Sequence, residues 1–228
     1  MILYIFDKDE NVIGHLKSED YQGTVEMNLN DVMSIEFSVD VMSVYKMIDA
    51  YYVGYQAIHN KDKFHLYRLL TDETGSRDMN YTGVHVFFDE MSFYEPLGEI
   101  TPRTMTVVDA FNFIFEGSRW KLGTTVGSEQ TTVNFYKISR LDAIRKVLGI
   151  WNVEFSLELK FVDNKIVERI VNLHEKLGVD TGKRFNYGDK ALEVVRETSN
   201  AGITAAIMHV GKGEEKFDET GKATGVYG

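Results

Sequence analysis

The stretch GVDTGKRFNYGDK, Gly178 to Lys190, holds the residues that come closest to a nucleotide cradle. A Gly-x4-Gly-Lys-Ser/Thr loop points backbone N–H groups at the phosphates, reaches them with its lysine and holds Mg²⁺ through its hydroxyl. Here Gly178 and Gly182 are separated by three residues, so the backbone donors fall out of step. Lys183 is followed by Arg184, which cannot hold the metal. The residues that follow, RFNYG, read as a strand where a helix should start. The spacing predicts a glycine-rich turn.

Other candidates fail on similar grounds. DKDEN, residues 7–11, begins with oxygen ligands at alternate positions, as a calcium loop does. The sixth position is Val12 where Gly is needed, and the twelfth is Ser18 where Glu is needed, so a solvated hairpin turn is expected. The histidines are His15, His59, His65, His85, His174 and His209. None pair at metal-binding helix spacing; His59 and His65 flank a loop, but ordinary strand or loop positions are expected. No Gly-x-Ser-x-Gly elbow occurs. The absence of cysteine rules out disulfides, thiolate metal sites and a thiol nucleophile. FFDEMSFYEP sets Asp89, Glu90 and Glu95 beside aromatics, as a glycosidase would. With 35 Asp and Glu in the chain, such a grouping carries little information, and an exposed strand end or loop is expected. The sequence offers no catalytic, cofactor-binding or metal-ligating set.

The elements that would position any site are mostly strands. ILYIF (2–6) and NVIGHL (11–16) flank a polar turn and predict a hairpin. TVEMNLN (24–30) places Val25, Met27 and Leu29 on one face, and SIEFSVD (34–40) does the same with Ile35, Phe37 and Val39. KFHLYRLLTDE (63–73) and RDMNYTGVHVFFDE (77–90) continue the pattern, with Val84, Val86 and Phe88 alternating. Residues 1–95 are thus expected to form an antiparallel β-barrel or sandwich. Both prolines, Pro96 and Pro102, fall in the following connection and mark a boundary.

Residues 96–174 read as an α/β unit with two helices. TMTVVDAFNFIFEGS (104–118) is apolar on nearly all sides and predicts a buried helix ended by Gly117. WKLGTTVGSEQTTVNFYK reads as extended or hairpin structure. SRLDAIRKVLGIW (139–151) has a Ser139/Asp142 cap and an apolar stripe of Leu141, Ile144, Val147 and Leu148. NVEFSLELKFV (152–162) and KIVERIVNLH (165–174) alternate as strands around an Asp163-Asn164 turn. Residues 175–228 carry three more strand signals, too few to close a barrel alone, so the natural chain is expected to continue past Gly228.

Composition narrows the function classes. A hydrophobic content of 43% permits a full core in 228 residues. The net charge of -10 argues against nucleic acid as the main ligand. The apolar runs are too short to span a bilayer, and MILYIFDKDE does not read as a signal peptide, so a soluble protein is expected. Tyrosine-rich aromatic content of 12% suits interfaces as well as cores.

Four stretches carry a family resemblance. The hairpin ILYIFDKDENVIG, the helical segments ITPRTMTVVDAFNFIFEGSRWKLG and ISRLDAIRKVLGIWNVEFSLE, and above all LGVDTGKRFNYGDKALEVVRETSNAGITAAIMHVGKGE resemble the N-terminal region of phage minor tail proteins. This is the prophage endopeptidase tail, or tail-associated lysin, family, and the resemblance runs over essentially the whole chain. It implies an α+β, mainly β fold: a first β-barrel (1–95), an α/β insert with two helices (96–174) and a second, partial barrel (175–228). It also implies a structural baseplate hub subunit in the virion, a homotrimeric ring with no catalysis of its own. Its partners would be the distal tail protein and tape measure or fibre proteins, with no cofactor, no specific nucleic-acid binding and no membrane insertion. An acidic lumen would let DNA pass by like-charge repulsion. Two other readings remain open at this level: the N-terminal part of a peptidoglycan hydrolase, and a carbohydrate- or receptor-binding β-module using the aromatics of SFYEP.

Overall fold

The computed structural model describes residues 2–57, 63–74, 77–178, 215–217 and 223–227. Met1–Val179 forms one compact unit and Asp180–Gly228 a second. The first unit contains, in order, β1 (Leu3–Phe6), β2 (Val12–Leu16), β3 (Tyr21–Glu26), β4 (Ser34–Asp40), a 3₁₀ turn (Val44–Met47), β5 (Tyr52–Gln56), β6 (Phe64–Thr74), β7 (Asp78–His85) and α1 (Val86–Phe93). It continues with β8 (Ile100–Thr106), α2 (Val107–Phe115), β9 (Lys121–Leu122), β10 (Gln130–Phe135), α3 (Arg140–Trp151), β11 (Glu154–Val162) and β12 (Lys165–His174). In the second unit, β13 (Glu215–Phe217) and β14 (Ala223–Tyr227) pair antiparallel. The fold is α+β and mainly β.

The main sheet runs β3-β4-β7-β6-β5-β1-β2, with every pair antiparallel. At its start β6 also meets β11, where Phe64 faces Leu159. β11 and β12 form a long antiparallel ladder, which β9 extends in parallel. The sheet does not close into the expected barrel, because β2 and β3 share no ladder. The 3₁₀ turn packs against β2 and is tied to Asp20 at the start of β3, and so stands where a β2–β3 pairing would close the sheet.

Strands β1, β5 and β6 are covered on both faces, which explains apolar runs such as ILYIF with little alternation. Leu3, Ile5, Val53, Tyr55 and Tyr67 point into one core, with Ile35, Phe37 and Val39 from β4 and Met47 from the 3₁₀ turn. Phe6, Phe64 and Leu66 point the other way, into a larger core built with α1, α2, α3 and the inner faces of β11 and β12.

Local signals placed several elements well. Asp163 and Asn164, at φ 50° and 62°, make the turn between β11 and β12. Ser139 Oγ accepts from the Asp142 N–H at 3.1 Å and caps α3. Thr106 and Asp109 form a reciprocal capping box on α2, and Gly117 follows its end at φ 72°.

Three expectations shift. β3 lies at 21–26, leaving Met27 and Leu29 exposed beyond its end. Residues 86–93 form a third helix, not strand. Val86, Phe87 and Phe88 are all buried together with Met91, a pattern that one face of a strand cannot produce, and His85 Nδ1 caps the helix by accepting from the Phe87 N–H. The helix expected from residue 104 starts at 107, because Ile100–Thr106 pairs with β10 as a strand. Pro102 is tolerated there because β8 pairs on one side only and the register shifts beside it. Gly178 is described, but the rest of the opening stretch to Lys190 lies outside the described residues, as does most of the expected second barrel.

Gly54 shows how tightly the shared strands fit. A Cβ there would lie 2.4 Å from the Phe64 ring and 2.8 Å from the His65 carbonyl oxygen. Phe64 in turn stacks on Phe161 at 4.3 Å. Gly54→Ala is therefore expected to destabilise the protein by about 1–3 kcal/mol in urea unfolding.

Candidate assembly site

The candidate chemical groups are largely committed to structure. Asp7 Oδ1 accepts from the backbone N–H groups of Asp9 (2.9 Å) and Asn11 (2.8 Å), and the Asn11 amide donates to Oδ2 at 3.1 Å. The Asn11 backbone N–H, then its side-chain amide, hold the Asp7 carboxyl below its ordinary range. DKDEN is a self-satisfied turn. Asp89 is paired with Arg68 at 2.6 Å. Glu95 lies beyond α1, where its carbonyl accepts from Arg140 Nε at 3.4 Å. His15 is exposed on β2, and His174 Nε2 meets Ser156 Oγ at 2.8 Å. His59 and His209 lie outside the described residues. Among the described residues, no three His, Asp or Glu side chains stand together as metal ligands would.

The cluster that does form was not anticipated. Arg169 on β12 bonds Glu10 at 2.5 Å and lies 3.4 Å from Glu90 on α1. Arg119 reaches the same two carboxylates at 2.8 and 2.5 Å. The Trp120 indole N–H donates to the other Glu90 oxygen at 2.7 Å. Glu90, expected at an exposed strand end or loop, is thus a partly buried helix residue. Arg169 is only 6% exposed, and an unpaired charge there would be costly. Burial raises the Glu10 carboxyl, but hydrogen bonds and charge from Arg169, and then from Arg119, outweigh it, so Glu10 stays below its ordinary value. The signal in the sequence was Arg169 itself, on the same face of β12 as the buried Val171 and Leu173.

Next to this cluster sit two core histidines, with ring centroids 5.8 Å apart. Burial, then the charge of Lys63, pushes His65 down to about 4. Burial, then the charges of His65 and Arg169, puts His85 well below its ordinary value.

The outer surface of the main sheet carries an apolar ridge. Val41, Met42, Tyr45 and Ile48, in and around the 3₁₀ turn, are 60–79% exposed. On one side a hollow of about 350 Å³ is lined by Met47, Ile48, Ala50, Leu69, Leu70 and Met79. On the other, a hollow of about 580 Å³ is lined by Ile13, His15, Tyr45, Ile48 and Asp49. The ridge is anchored at its base: Asp20 accepts from Ser43 Oγ (2.7 Å), Lys46 Nζ (2.8 Å) and the Lys17 N–H (2.8 Å). Lys46, then the Lys17 N–H and Ser43, hold the Asp20 carboxyl far below its ordinary range. An exposed apolar ridge fixed in one conformation is suited to making contacts and has no evident chemistry.

No family model and no curated protein matches the chain. Among solved structures, the crystal structure of prophage tail protein gp18 from Listeria monocytogenes EGD-e matches with a TM-score of 0.57 at 14% identity. The chain shares its fold with that protein. The match covers 97% of this chain but 64% of the Listeria chain, so this sequence spans a little under two thirds of that protein's length. Among the described residues, no helix is long and apolar enough to cross a membrane.

Two stability measurements probe the interior. Arg169→Leu should cost about 3–5 kcal/mol in chemical unfolding, because it leaves Glu10 and Glu90 crowded around Arg119 alone; a loss under about 1 kcal/mol would mean the cluster holds little. The histidines predict acid sensitivity. Above pH about 6.5 they are neutral in both states; as pH falls toward 4 the unfolded chain binds protons that folded His65 and His85 do not. Stability should therefore drop by roughly 1.4 kcal/mol per pH unit per histidine between pH about 6.5 and 4. His65→Phe should remove one histidine's share of that slope in calorimetric melts.

Proposed function

We propose that this chain is a structural subunit of a phage or prophage tail tip that acts as a baseplate hub. The supporting observation is the fold match to prophage tail protein gp18 along nearly the whole chain. Within the described residues, β3 and β2 each pair on one side only, and strand edges of that kind gain partners when copies close into a ring. The hub reading gives the protein a homotrimeric ring, a place in the virion at the end of the tail tube, and contacts with the distal tail protein and with tape measure or fibre proteins. The acidic net charge suits a channel through which DNA slides without binding. The role is non-catalytic: the titratable groups described above serve as caps, ion pairs or core residues.

Light scattering coupled to size-exclusion chromatography, followed by negative-stain imaging, tests the ring. Trimers with three-fold symmetry are expected from the full-length protein, and a monomer at high concentration would sink the reading. Incubation with purified peptidoglycan is expected to release no muropeptides; their appearance would replace the structural role with a hydrolytic one.

A further inference from the structure

We propose that the ridge at Val41–Ile48, with the hollows on either side, docks a basic, amphipathic segment of a partner protein. The apolar half of the argument is the ridge. Met42, Ile48 and Tyr45 stand most exposed in and around a turn fixed by Asp20, and hollows with mixed apolar and polar linings flank them. Aromatic side chains and adaptable methionines beside partly apolar hollows are what protein interfaces use as anchors.

The charge half comes from the sequence and its placement. Residues 1–95 contain 17 Asp and Glu against 7 Lys and Arg, a net of -10; residues 96–228 contain 18 of each. The whole surplus of negative charge therefore belongs to the segment that builds the main sheet and carries the ridge. Asp7 and Asp49 line one hollow. Asp40 and Asp78 pair across β4 and β7 at the end of the ladder next to Val41. The ridge's own cation, Lys46, is engaged by Asp20, and Arg68 by Asp89; Lys8 beside Asp7, Lys17 beside Asp20 and Arg77 are further nearby cations, fewer than the carboxylates of Asp7, Glu19, Asp40, Asp49 and Asp78. An apolar ridge in an acidic field selects a partner that brings apolar anchors and surplus Lys or Arg. A second copy of this chain fits poorly: its other half is electrically neutral and its main sheet carries the same negative charge.

Selection of a random peptide library of roughly 16-mers against the purified chain, followed by anisotropy titration of the winners, tests this without any ring having to form. The enriched peptides should carry excess Lys and Arg together with Leu, Phe or Trp. Met42→Asp and Tyr45→Asp should each weaken binding at least about tenfold, and raising salt from about 50 to 300 mM should weaken it further. Val167→Asp, which replaces a comparably exposed apolar side chain on β12, should leave binding unchanged, and circular dichroism melts establish that each variant is folded. The proposal is overturned if no peptide is enriched, if the winners are neutral or acidic, if neither ridge variant changes their affinity, or if the purified protein self-associates through Tyr45.

Discussion

The first hairpin, the first helix and the last long strand of the main unit meet at a single point, where the buried Arg169 and the largely buried Glu10 and Glu90 share their charges with the half-exposed Arg119. Arg169, Glu10 and Glu90 are not affordable there alone, since a buried charge stripped of its partner costs several kcal/mol. Each one's position therefore fixes the others: Glu10 sets the hairpin turn, Glu90 the rotation of α1, Arg169 the register of β12. Trp120 extends the constraint into the larger core by bonding Glu90 and lying edge-on to Phe87 at 4.9 Å. A hydrophobic seam of equal area would tolerate sliding; a network that must keep every member paired tolerates far less.

That constraint matters because the middle of the main sheet serves two cores. Strand β6 sends Phe64 and Leu66 to one side and Tyr67 to the other, and β1 divides Phe6 from Leu3 and Ile5 in the same way. Rotating either strand by one residue would exchange its side chains between two differently shaped interiors. The absence of a side chain at Gly54, where the Phe64 ring takes up the space, shows how little room the arrangement leaves. The unit is thus rigid through its middle, and β2 and β3, which among the described residues pair on one side only, sit at its margins with the ridge at 41–48.

How much of this was legible in the sequence depended on the range of the interaction that decided it. Turns and caps were readable because they act within four residues: Asp163-Asn164, Ser139 with Asp142, and Gly117 all stand where their chemistry put them. The alternation of Ile35, Phe37 and Val39 was readable because one face of β4 is wet. The same rule misled at Val84, Val86 and Phe88, where burial from both sides removed the periodicity that separates strand from helix. The ion cluster was hidden for another reason. Arg169 and Glu10 stand 159 residues apart, and local patterns carry no information about such a pairing. Barrel closure failed as an expectation because it depends on whether two end strands meet, and here a 3₁₀ turn lies against one and is bonded to Asp20 beside the other.

The placement of polarity bears on the proposed role in assembly. Where buried polar groups serve chemistry, some are left under-satisfied and aimed into a cleft, with their proton affinities moved toward working pH. Here the shifts run the other way. Glu10 and Asp20 are driven further into the charged range and the two core histidines further into the neutral range, so none titrates near neutrality. Energy in this molecule is spent on holding shape: the buried His65 Nδ1 and His85 Nε2 are left without hydrogen bonds inside the core, and at the surface the ridge leaves apolar side chains in an acidic segment. The proposed partner would remove those apolar side chains from water and bring opposite charge to the rim.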